Sequence, residues 1–327
     1  MTTTAPTRRA TPRLTDDQLG ELMKLLKGAD TTELKVSIPE GSHIATIRGL
    51  PIDPVEAQPR QVFFFDTPDL ALNKAGVVVR ARRIAGGRAD TVVKLRPIVP
   101  ESLPEELRKS GALGVEVDVI PTGFVCSASM KGRTTGDDVR AAVAGTLPLR
   151  KLFSRDQRDF YAERAPDGIP FDSLVPLGPT FLLKSTFNPP EMGGRRFVAE
   201  LWFYPDGSRI LELSTKCLPS EAFQVAAEAR AYLAGRGVST GTGVQQTKTR
   251  AALDYYSAEL RKRAAAEAKK AAPKPATRRR TTTARAATRR APTARKAATN
   301  GAGPGTATTT RRTTTRRRTQ GNAAAGS

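Results

Sequence analysis

Residues 62–83 read VFFFDTPDLALNKAGVVVRARR, and they contain the pattern on which the fold prediction depends. Arg80 and Arg82 alternate with Val79 and Ala81, and positions i and i+2 of a β-strand point to the same face. One face of this strand is therefore cationic and the other apolar. From about residue 31 to 216 the chain continues in short alternating segments broken by Gly and Pro, which is typical of an antiparallel sheet folded into a barrel or sandwich.

Other alternating segments also carry charge, and several of them sort by sign. Lys94 and Arg96 flank Leu95, whereas Glu116 and Asp118 alternate with valines. For any single strand an ordinary solvated outer face is the simpler interpretation. Surfaces shaped by solubility alone intersperse the two signs, however, because like charges on one face repel. If the strands close into a barrel with these faces inward, the cationic strands would bind a polyphosphate and the acidic strands divalent metal ions.

The charge of the chain is concentrated at its end. Residues 261–327 contain 19 Lys or Arg and one acid, Glu267, whereas the other 260 residues carry a net charge of only +3. The sequence predicts a flexible basic arm at 1–14, a folded domain at 15–260, a helical extension at 261–272 and a disordered tail at 273–327. The tail has no aromatic or large aliphatic residue to bury, so it cannot offset its ordering entropy.

Helices are expected at the edges of the folded domain, beginning with one that Thr15 caps and Gly28 ends. Another runs from Ser220 to about Gly235, and a third from about Thr247 to Ala272. A short helix is predicted within 134–145, and 97–115 is predicted to be a loop with a short helix.

Soft-metal chemistry and membrane insertion are not predicted. Cys126 and Cys217 have neither disulfide nor zinc-ligand spacing, and His43 is the only histidine. His43 lies between a Gly-Ser turn and an Ile-Ala-Thr-Ile segment predicted to be a strand, and it is interpreted as structural. No apolar run approaches the roughly 18 residues of a membrane span, and the N-terminus lacks the apolar core of a signal peptide. A soluble, cytoplasmic protein is expected, nucleoid-associated if the tail binds DNA.

The folded domain resembles the CYTH domain of the triphosphate tunnel metalloenzymes. Residues 62–83 are similar to that family's aromatic-Asp-Thr-Pro segment leading into an Arg-x-Arg strand. Further similar segments follow in the family's order: TTELK (31–35), TVVKLRP (91–97), VEVDV (115–119), SRDQRDF (154–160), AEL (199–201), LELSTK (211–216) and TKTR (247–250). The resemblance covers roughly residues 29–256. It implies an α+β, mainly β fold: an eight-stranded antiparallel β-tunnel, closed or nearly closed, with flanking helices.

The resemblance also implies a ligand, a cofactor and a set of site residues. The ligand would be inorganic triphosphate or a related compound, and the cofactor Mg²⁺ or Mn²⁺. Phosphate-binding positions would be Lys35, Arg80, Arg82, Lys94, Arg96, Arg155, Arg158 and Lys248. Metal ligands would be Glu33, Glu116, Asp118, Glu200 and Glu212, and the catalytic residues Glu33, Lys35 and Glu212. Arginine forks suit phosphate oxygens, lysines act as point charges, and divalent ions bridge carboxylates to phosphates.

Three positions depart from the family pattern. Thr31 and Ser214 stand where the family has glutamates, and Tyr204 stands where an Asp is expected. Asp206 could replace that Asp, but it lies in a Pro-Asp-Gly turn and is expected to face solvent. Fewer carboxylates weaken a hard-cation site. Metal-dependent triphosphate hydrolysis is ranked first, a catalytically degenerate polyphosphate or nucleotide binder second, and adenylate cyclisation third, because nothing identifies an adenine pocket.

The tail resembles the Ala-Lys-Arg-Pro tails of linker histones and of some bacterial nucleoid proteins. It predicts binding to DNA or RNA, driven by counterion release and with little sequence preference. The alternative is a solubilising or ribosome-attracted tail without a dedicated function.

Overall fold

The structure is a computed structural model that describes residues 14–238 and 248–271. The predicted basic arm up to residue 13 and the predicted tail at 273–327 lie outside these ranges.

A closed β-barrel forms the centre of the described chain. Its strands are β1 (Thr31–Ile38), β2 (Gln58–Asp66), β3 (Val77–Ile84), β4 (Arg88–Leu95), β5 (Leu113–Ile120), β6 (Gly123–Thr135), β7 (Val175–Phe187), β8 (Phe197–Phe203) and β9 (Arg209–Cys217). Around the barrel they follow the order β1-β5-β6-β4-β3-β2-β7-β8-β9. The prediction of a closed, mainly β barrel with flanking helices is confirmed.

Two details of the predicted tunnel are corrected. The described residues form nine strands instead of eight, and β1 pairs in parallel with β5, so that Glu33 lies opposite Asp118. The remaining neighbours are antiparallel, including β1 with β9. A parallel pair needs a long connection, here the chain from β1 to β5, and no local turn signal reveals such a pairing. Barrel closure brings the acidic side chains of β1 and β5 together.

Alternation along the strands separates an outer apolar surface from a polar interior. On β3, Val77, Val79 and Ala81 are buried in the main hydrophobic cluster, whereas Arg80 and Arg82 line an internal cavity. On β5, Val115 and Val117 belong to the same cluster, whose members include residues of the flanking helices. The outer face is therefore covered by helices and the inner face is free to carry charge. This is the reverse of an ordinary barrel with a solvated exterior.

Helices flank the barrel on several sides. They are α1 (Asp16–Lys27), α2 (His43–Gly49), α3 (Ala71–Lys74), α4 (Glu105–Arg108), α5 (Gly136–Val143), α6 (Leu149–Leu152), α7 (Arg155–Ala162), α8 (Ala222–Gly235) and α9 (Lys248–Ala271). Short 3₁₀ turns occupy Glu40–Ser42, Pro100–Ser102, Phe171–Ser173, Pro190–Met192 and Pro219–Glu221. The helices predicted near residues 15, 135, 220 and 248 are confirmed.

The starts of two helices follow from their side chains. Thr15 and Gln18 form a reciprocal capping box at α1, in which each side chain accepts a hydrogen bond from the other residue's backbone N–H. At α5 the Thr135 hydroxyl accepts a hydrogen bond from the Asp138 backbone N–H. These bonds satisfy N–H groups that have no partner within the helix.

The segment predicted to be a strand after His43 is instead helix α2. His43 and Thr46 are buried one helical turn apart, and His43 Nε2 lies 3.0 Å from the Ile38 carbonyl oxygen. β-branched residues such as Ile and Thr favour strands only weakly, and tertiary packing overrides this preference. The structural interpretation of His43 agrees with its burial.

The Asp-Thr-Pro segment at the end of β2 forms a tight hydrogen-bonded turn that leads into α3. Asp66 is buried and accepts hydrogen bonds from the backbone N–H groups of Thr67 (2.7 Å), Leu72 (2.9 Å) and Asn73 (3.0 Å). Gly76 has a φ of +77°, and a Cβ there would lie 2.4 Å from the Arg96 carbonyl oxygen. This segment therefore orients β3 and the end of β4 and contributes no side chain to the cavity.

Within the described ranges, no helix is both long enough and apolar enough to cross a lipid bilayer.

Candidate active site

The barrel encloses a cavity of about 610 Å³ that is strongly charged. Among the described residues, ten basic and five acidic side chains line it, a formal excess of five positive charges. The sequence-predicted residues that line it are Glu33, Lys35, Arg80, Arg82, Lys94, Arg96, Glu116, Asp118, Glu200, Glu212 and Lys248. The charged faces of separate strands thus share one interior space.

One side of the cavity is formed by Arg80, Arg82, Lys94 and Arg96, on β3, on β4 and directly after β4; we call it the basic wall. Arg82 is paired, with its Nη2 2.6 Å from Asp90 Oδ2. Arg80 differs, because its buried Nε has no hydrogen-bond partner in the described chain. Burial and the neighbouring Arg82 lower the pKa of Arg80 to about 10. A buried guanidinium of this kind is a strong site for an anion.

Lys94 is the second cation of the basic wall with a perturbed pKa. Burial lowers the pKa of Lys94 to about 8, although the Asp118 carboxylate, 3.6 Å from its ammonium, opposes the shift. Lys35 and Arg96 repel the charged form further. Without a bound anion, this ammonium is close to losing its proton near neutral pH.

The opposite side carries the five carboxylates of Glu33, Glu116, Asp118, Glu200 and Glu212, on β1, β5, β8 and β9; we call it the acidic wall. Glu33, Glu116 and Asp118 form an acidic cluster in which one oxygen of each lies within 4.8 Å of the others. In the described chain this is the one group of three or more such side chains close enough to hold a metal ion together.

Two lysines, Lys35 and Lys216, form ion pairs with the acidic cluster. Lys35 Nζ lies 2.8 Å from Asp118 Oδ1 and 2.9 Å from Glu33 Oε2, and Lys216 contacts Glu116 directly. Burial raises the pKa of both Glu33 and Asp118, but the neighbouring cations, Lys35 foremost, together more than offset this, so both pKa values lie below their ordinary range. Both carboxyls therefore stay ionised at neutral pH, as a hard-cation ligand must.

A second group on the acidic wall joins helix α9 to the barrel. Lys248 Nζ lies 2.6 Å from Glu200 Oε2 and 2.6 Å from Glu212 Oε1, and 5.1 Å from the centre of the Trp202 ring. Burial raises the pKa of Glu200, but Lys248, together with Lys184 and the hydrogen bond from Trp202, outweighs this and brings the pKa below its ordinary range. We call this group the Lys248 bridge. Trp202 lies two residues after Glu200 on β8, and both side chains line the cavity.

The interior is apolar beyond the charged chamber. Val62 and Phe64 lie opposite Arg82 and Arg80 and therefore share their face. They cluster with Leu182 of β7 and with Ala252 and Leu253 of α9. The first turns of α9 thus bring apolar side chains against this part of the barrel. The more exposed cavity cations, such as Lys131 and Lys216, belong to the part of the chamber that solvent can reach.

Two predicted phosphate-binding residues do not line the cavity. Arg155 and Arg158 lie on helix α7 outside the barrel. The Arg155 side chain is 86 % exposed, and its Nε lies 3.6 Å from Asp159. Arg158 Nη1 donates hydrogen bonds to the carbonyl oxygens of Arg150 and Phe153, 2.7 Å each. Arg155 therefore lies on the surface, and Arg158 caps the carbonyl groups at the end of α6.

The sequence prediction missed four cavity cations: Lys131, Lys184, Arg196 and Lys216. Lys216 lies on β9 with the same strand parity as Glu212, which the prediction did include. Lys131 and Lys184 also lie on strands, and their parity relative to inward residues would have identified them once the register was known. Arg196 precedes β8 in a loop, where strand parity gives no signal.

The three departures from the family pattern have distinct surroundings. Thr31 Oγ1 donates a hydrogen bond of 3.3 Å to Glu116 Oε2, and Ser214 lines the cavity. Tyr204 is buried away from the cavity, and its hydroxyl donates to the Lys248 carbonyl oxygen at 3.1 Å. Asp206 is exposed and accepts a hydrogen bond from the Ser208 N–H, so its expected turn position is confirmed.

Comparison with known proteins gives structural neighbours only. No protein-family model matches the sequence, and no curated protein matches it. A candidate adenylyl cyclase from Hippeastrum with a dominant triphosphatase activity is 17% identical, with a TM-score of 0.49, over 66% of this chain and 91% of that one. A candidate adenylate cyclase from Bacillus halodurans is 13% identical (TM-score 0.46; 67% and 96% covered), and another from Vibrio parahaemolyticus is 14% identical (TM-score 0.36; 66% and 95%).

Proposed function

We propose that the cavity binds a triphosphate compound and hydrolyses its terminal phosphate with Mg²⁺ or Mn²⁺. The observation that carries the proposal is the basic wall: ten cations and five acids line the cavity, and on this wall the buried Nε of Arg80 has no hydrogen-bond partner in the described chain. Burying an unpaired charge is costly, so such a wall is suited to a polyanionic ligand that returns the missing counter-charge. A linear triphosphate, with its closely spaced negative oxygens, has this chemistry.

The acidic cluster fits the proposed cofactor. Its three carboxylates offer hard oxygen ligands, and their oxygens are close enough to one another to share an ion. Glu33, Glu116 and Asp118 would hold a divalent ion, which supplies charge neutralisation and a more acidic bound water. Mg²⁺ and Mn²⁺ both favour such ligands.

Side chains of the protein would supply the remaining chemistry. Arg80, Arg82, Lys94 and Arg96 hold the phosphate oxygens and stabilise charge that moves onto the leaving diphosphate. A carboxylate of the acidic cluster accepts the proton from the attacking water, whose oxygen forms the new bond to the terminal phosphorus. Lys35 holds Glu33 and Asp118 in their ionised forms.

A non-catalytic binder is the second candidate, and a specific observation favours it. Thr31, Tyr204 and Ser214 supply no carboxylate, and lysines already contact Glu33, Asp118 and Glu116. In that case the basic wall would hold a polyphosphate or nucleotide without turnover. Adenylate cyclisation ranks third, because the sequence identifies no adenine pocket.

Purified full-length protein should therefore bind tripolyphosphate and release phosphate from it in Mg²⁺ or Mn²⁺. Arg80→Ala should weaken binding by about 10- to 100-fold, the loss expected for a charge-assisted contact. Arg155→Ala is the matched control, an arginine outside the cavity whose loss should change affinity less than about twofold. Binding without turnover of tripolyphosphate, ATP or thiamine triphosphate would favour the non-catalytic binder, and equal losses in the two variants would contradict the assignment of the cavity.

We also propose that the tail binds DNA or RNA in the cytoplasm, on the basis of its charge and composition. Gel shifts of the full chain and of a chain ending at Ala272 test this, each at several salt concentrations. Affinity of the full chain should fall steeply with salt and exceed that of the shortened chain. Equal affinities would leave the solubilising-tail interpretation.

A further inference from the structure

In the Lys248 bridge, a lysine ammonium lies between two carboxylates that could otherwise bind a metal ion together. The Lys248 ammonium makes two 2.6 Å contacts, one to Glu200 and one to Glu212. Trp202 Nε1 donates a further hydrogen bond of 3.2 Å to Glu200 Oε2. The positive charge between these carboxylates is therefore already present in the chain, at direct contact distance.

Several contacts of α9 keep this ammonium in place. Lys248 is the first residue of the helix, and its side chain is only 17 % exposed. Its carbonyl oxygen accepts the Tyr204 hydroxyl hydrogen bond, while Ala252 and Leu253, one turn further on, are 0 % and 2 % exposed. Moving the ammonium away would leave two buried carboxylates unpaired and disturb the docking of the helix.

The lysines beside the acidic cluster are placed differently. Lys35, whose side chain is 18 % exposed, contacts Glu33 and Asp118, whereas Glu116 is paired with Lys216, which is 51 % exposed. The Lys216 ammonium can therefore move into water without unpacking an element. The acidic cluster also has three carboxylates, whereas the Lys248 bridge has two. A divalent ion can therefore compete at the acidic cluster far better than at the bridge.

We propose that Lys248 takes the place of a divalent ion between Glu200 and Glu212, so that the chamber binds a single divalent ion, at Glu33, Glu116 and Asp118. The inference rests on the proposed function and sharpens it, because it fixes the number of ions in the same chamber. It assigns Glu200 and Glu212 to the docking of α9 instead of to metal binding. It also removes Lys248 from the phosphate ligands, since its charge is already neutralised by two carboxylates.

Counting Mn²⁺ bound to the full-length protein without any phosphate ligand tests the inference. Equilibrium dialysis, or the loss of the free-ion electron paramagnetic resonance signal, gives the number bound at millimolar Mn²⁺. We expect one ion per chain in the wild type and two in Lys248→Met, because the substitution frees Glu200 and Glu212. Lys184→Met is the matched control, a cavity lysine without a carboxylate oxygen within 4.0 Å in the described ranges, and should bind one ion. Two ions in the wild type, or one in Lys248→Met, would overturn the inference.

A second pair of variants keeps the test usable if Lys248→Met does not fold. Glu212→Gln leaves the Glu200 contact to Lys248 in place and should bind one Mn²⁺ with an affinity within about threefold of the wild type. A loss of more than tenfold would show that Glu212 is a metal ligand and would overturn the inference. Glu33→Gln should instead lose the single ion.

These outcomes separate the inference from the proposed function. Two Mn²⁺ in the wild type together with tripolyphosphate binding contradicts the role of Lys248 alone. Failure to bind tripolyphosphate, with the ion count still one in the wild type and two in Lys248→Met, contradicts the proposed function and supports the inference. No bound Mn²⁺ in any variant contradicts both.

Discussion

The basic and acidic walls of the cavity differ in how their charges are balanced. On the acidic wall, lysines contact Glu33, Glu116, Asp118, Glu200 and Glu212, at 2.6 to 2.9 Å in most pairs. On the basic wall, the buried Nε of Arg80 has no hydrogen-bond partner among the described residues. Every carboxylate of the acidic wall thus has a lysine partner, whereas the basic wall keeps a buried donor that is free for a ligand. The comparison shows that charge is balanced differently on the two sides of one cavity.

The largest expected effect lies on the acidic wall. Lys35→Met removes the cation shared by Glu33 and Asp118 and leaves two poorly solvated carboxylates facing each other. We expect a loss of about 3 kcal/mol in the free energy of unfolding, as when one partner of a buried ion pair is removed. Urea denaturation measures it.

Lys184→Met is the control for this substitution. Burial, followed by repulsion from Arg60, lowers the pKa of Lys184, so its charge is unfavourable in the free protein. Its removal should leave the stability unchanged or higher. Equal destabilisation by the two substitutions would mean that the carboxylate contacts of Lys35 add no stability beyond that of a cavity lysine without such contacts.

The next effect is a pH dependence on the basic wall. The pKa of Lys94 in the folded protein is about 8, below the value of about 10.4 for an unfolded lysine. The unfolded chain thus holds more protons between these values, so this group makes the folded state more stable as pH rises from 8 to 10. Phosphate binding needs the ammonium form. Affinity for tripolyphosphate should therefore fall by about tenfold from pH 7 to pH 9 through this group.

Calorimetry in EDTA measures this fall in affinity without divalent ions. Lys94→Arg keeps a charge that does not titrate in this range and corrects for the ligand's own ionisation. The wild type should lose about tenfold more affinity than Lys94→Arg across the two pH values. Parallel pH profiles for the two proteins would show that Lys94 does not contact the ligand.

The smallest effect concerns the arginines outside both walls. Arg158→Ala removes two hydrogen bonds to backbone carbonyls and should cost about 1 kcal/mol of stability. Tripolyphosphate affinity should change less than about twofold, because Arg158 does not line the cavity. Thermal unfolding and calorimetry on the same samples separate the two quantities. A tenfold loss of affinity at unchanged stability would return Arg158 to the phosphate-binding set.

The sequence by itself determined which strand faces are charged. Side chains alternate along a strand with a period of two, so Arg80 with Arg82 and Glu116 with Asp118 were assigned to common faces without knowledge of the partner strands. It also determined the helix start at Thr15 and the presence of a short helix within 134–145, because capping depends on residues within one turn. These are local properties, set by backbone geometry over a few residues.

Tertiary structure alone decided which charges meet. The parallel pairing of β1 with β5 brings Glu33 beside Asp118, and the docking of α9 inserts Lys248 between Glu200 and Glu212. Arg155 and Arg158 show the converse, since their segment forms a helix outside the barrel. Contacts between residues far apart in sequence depend on register and packing, which are set by the burial of the whole apolar surface and leave no mark in the local pattern of residues.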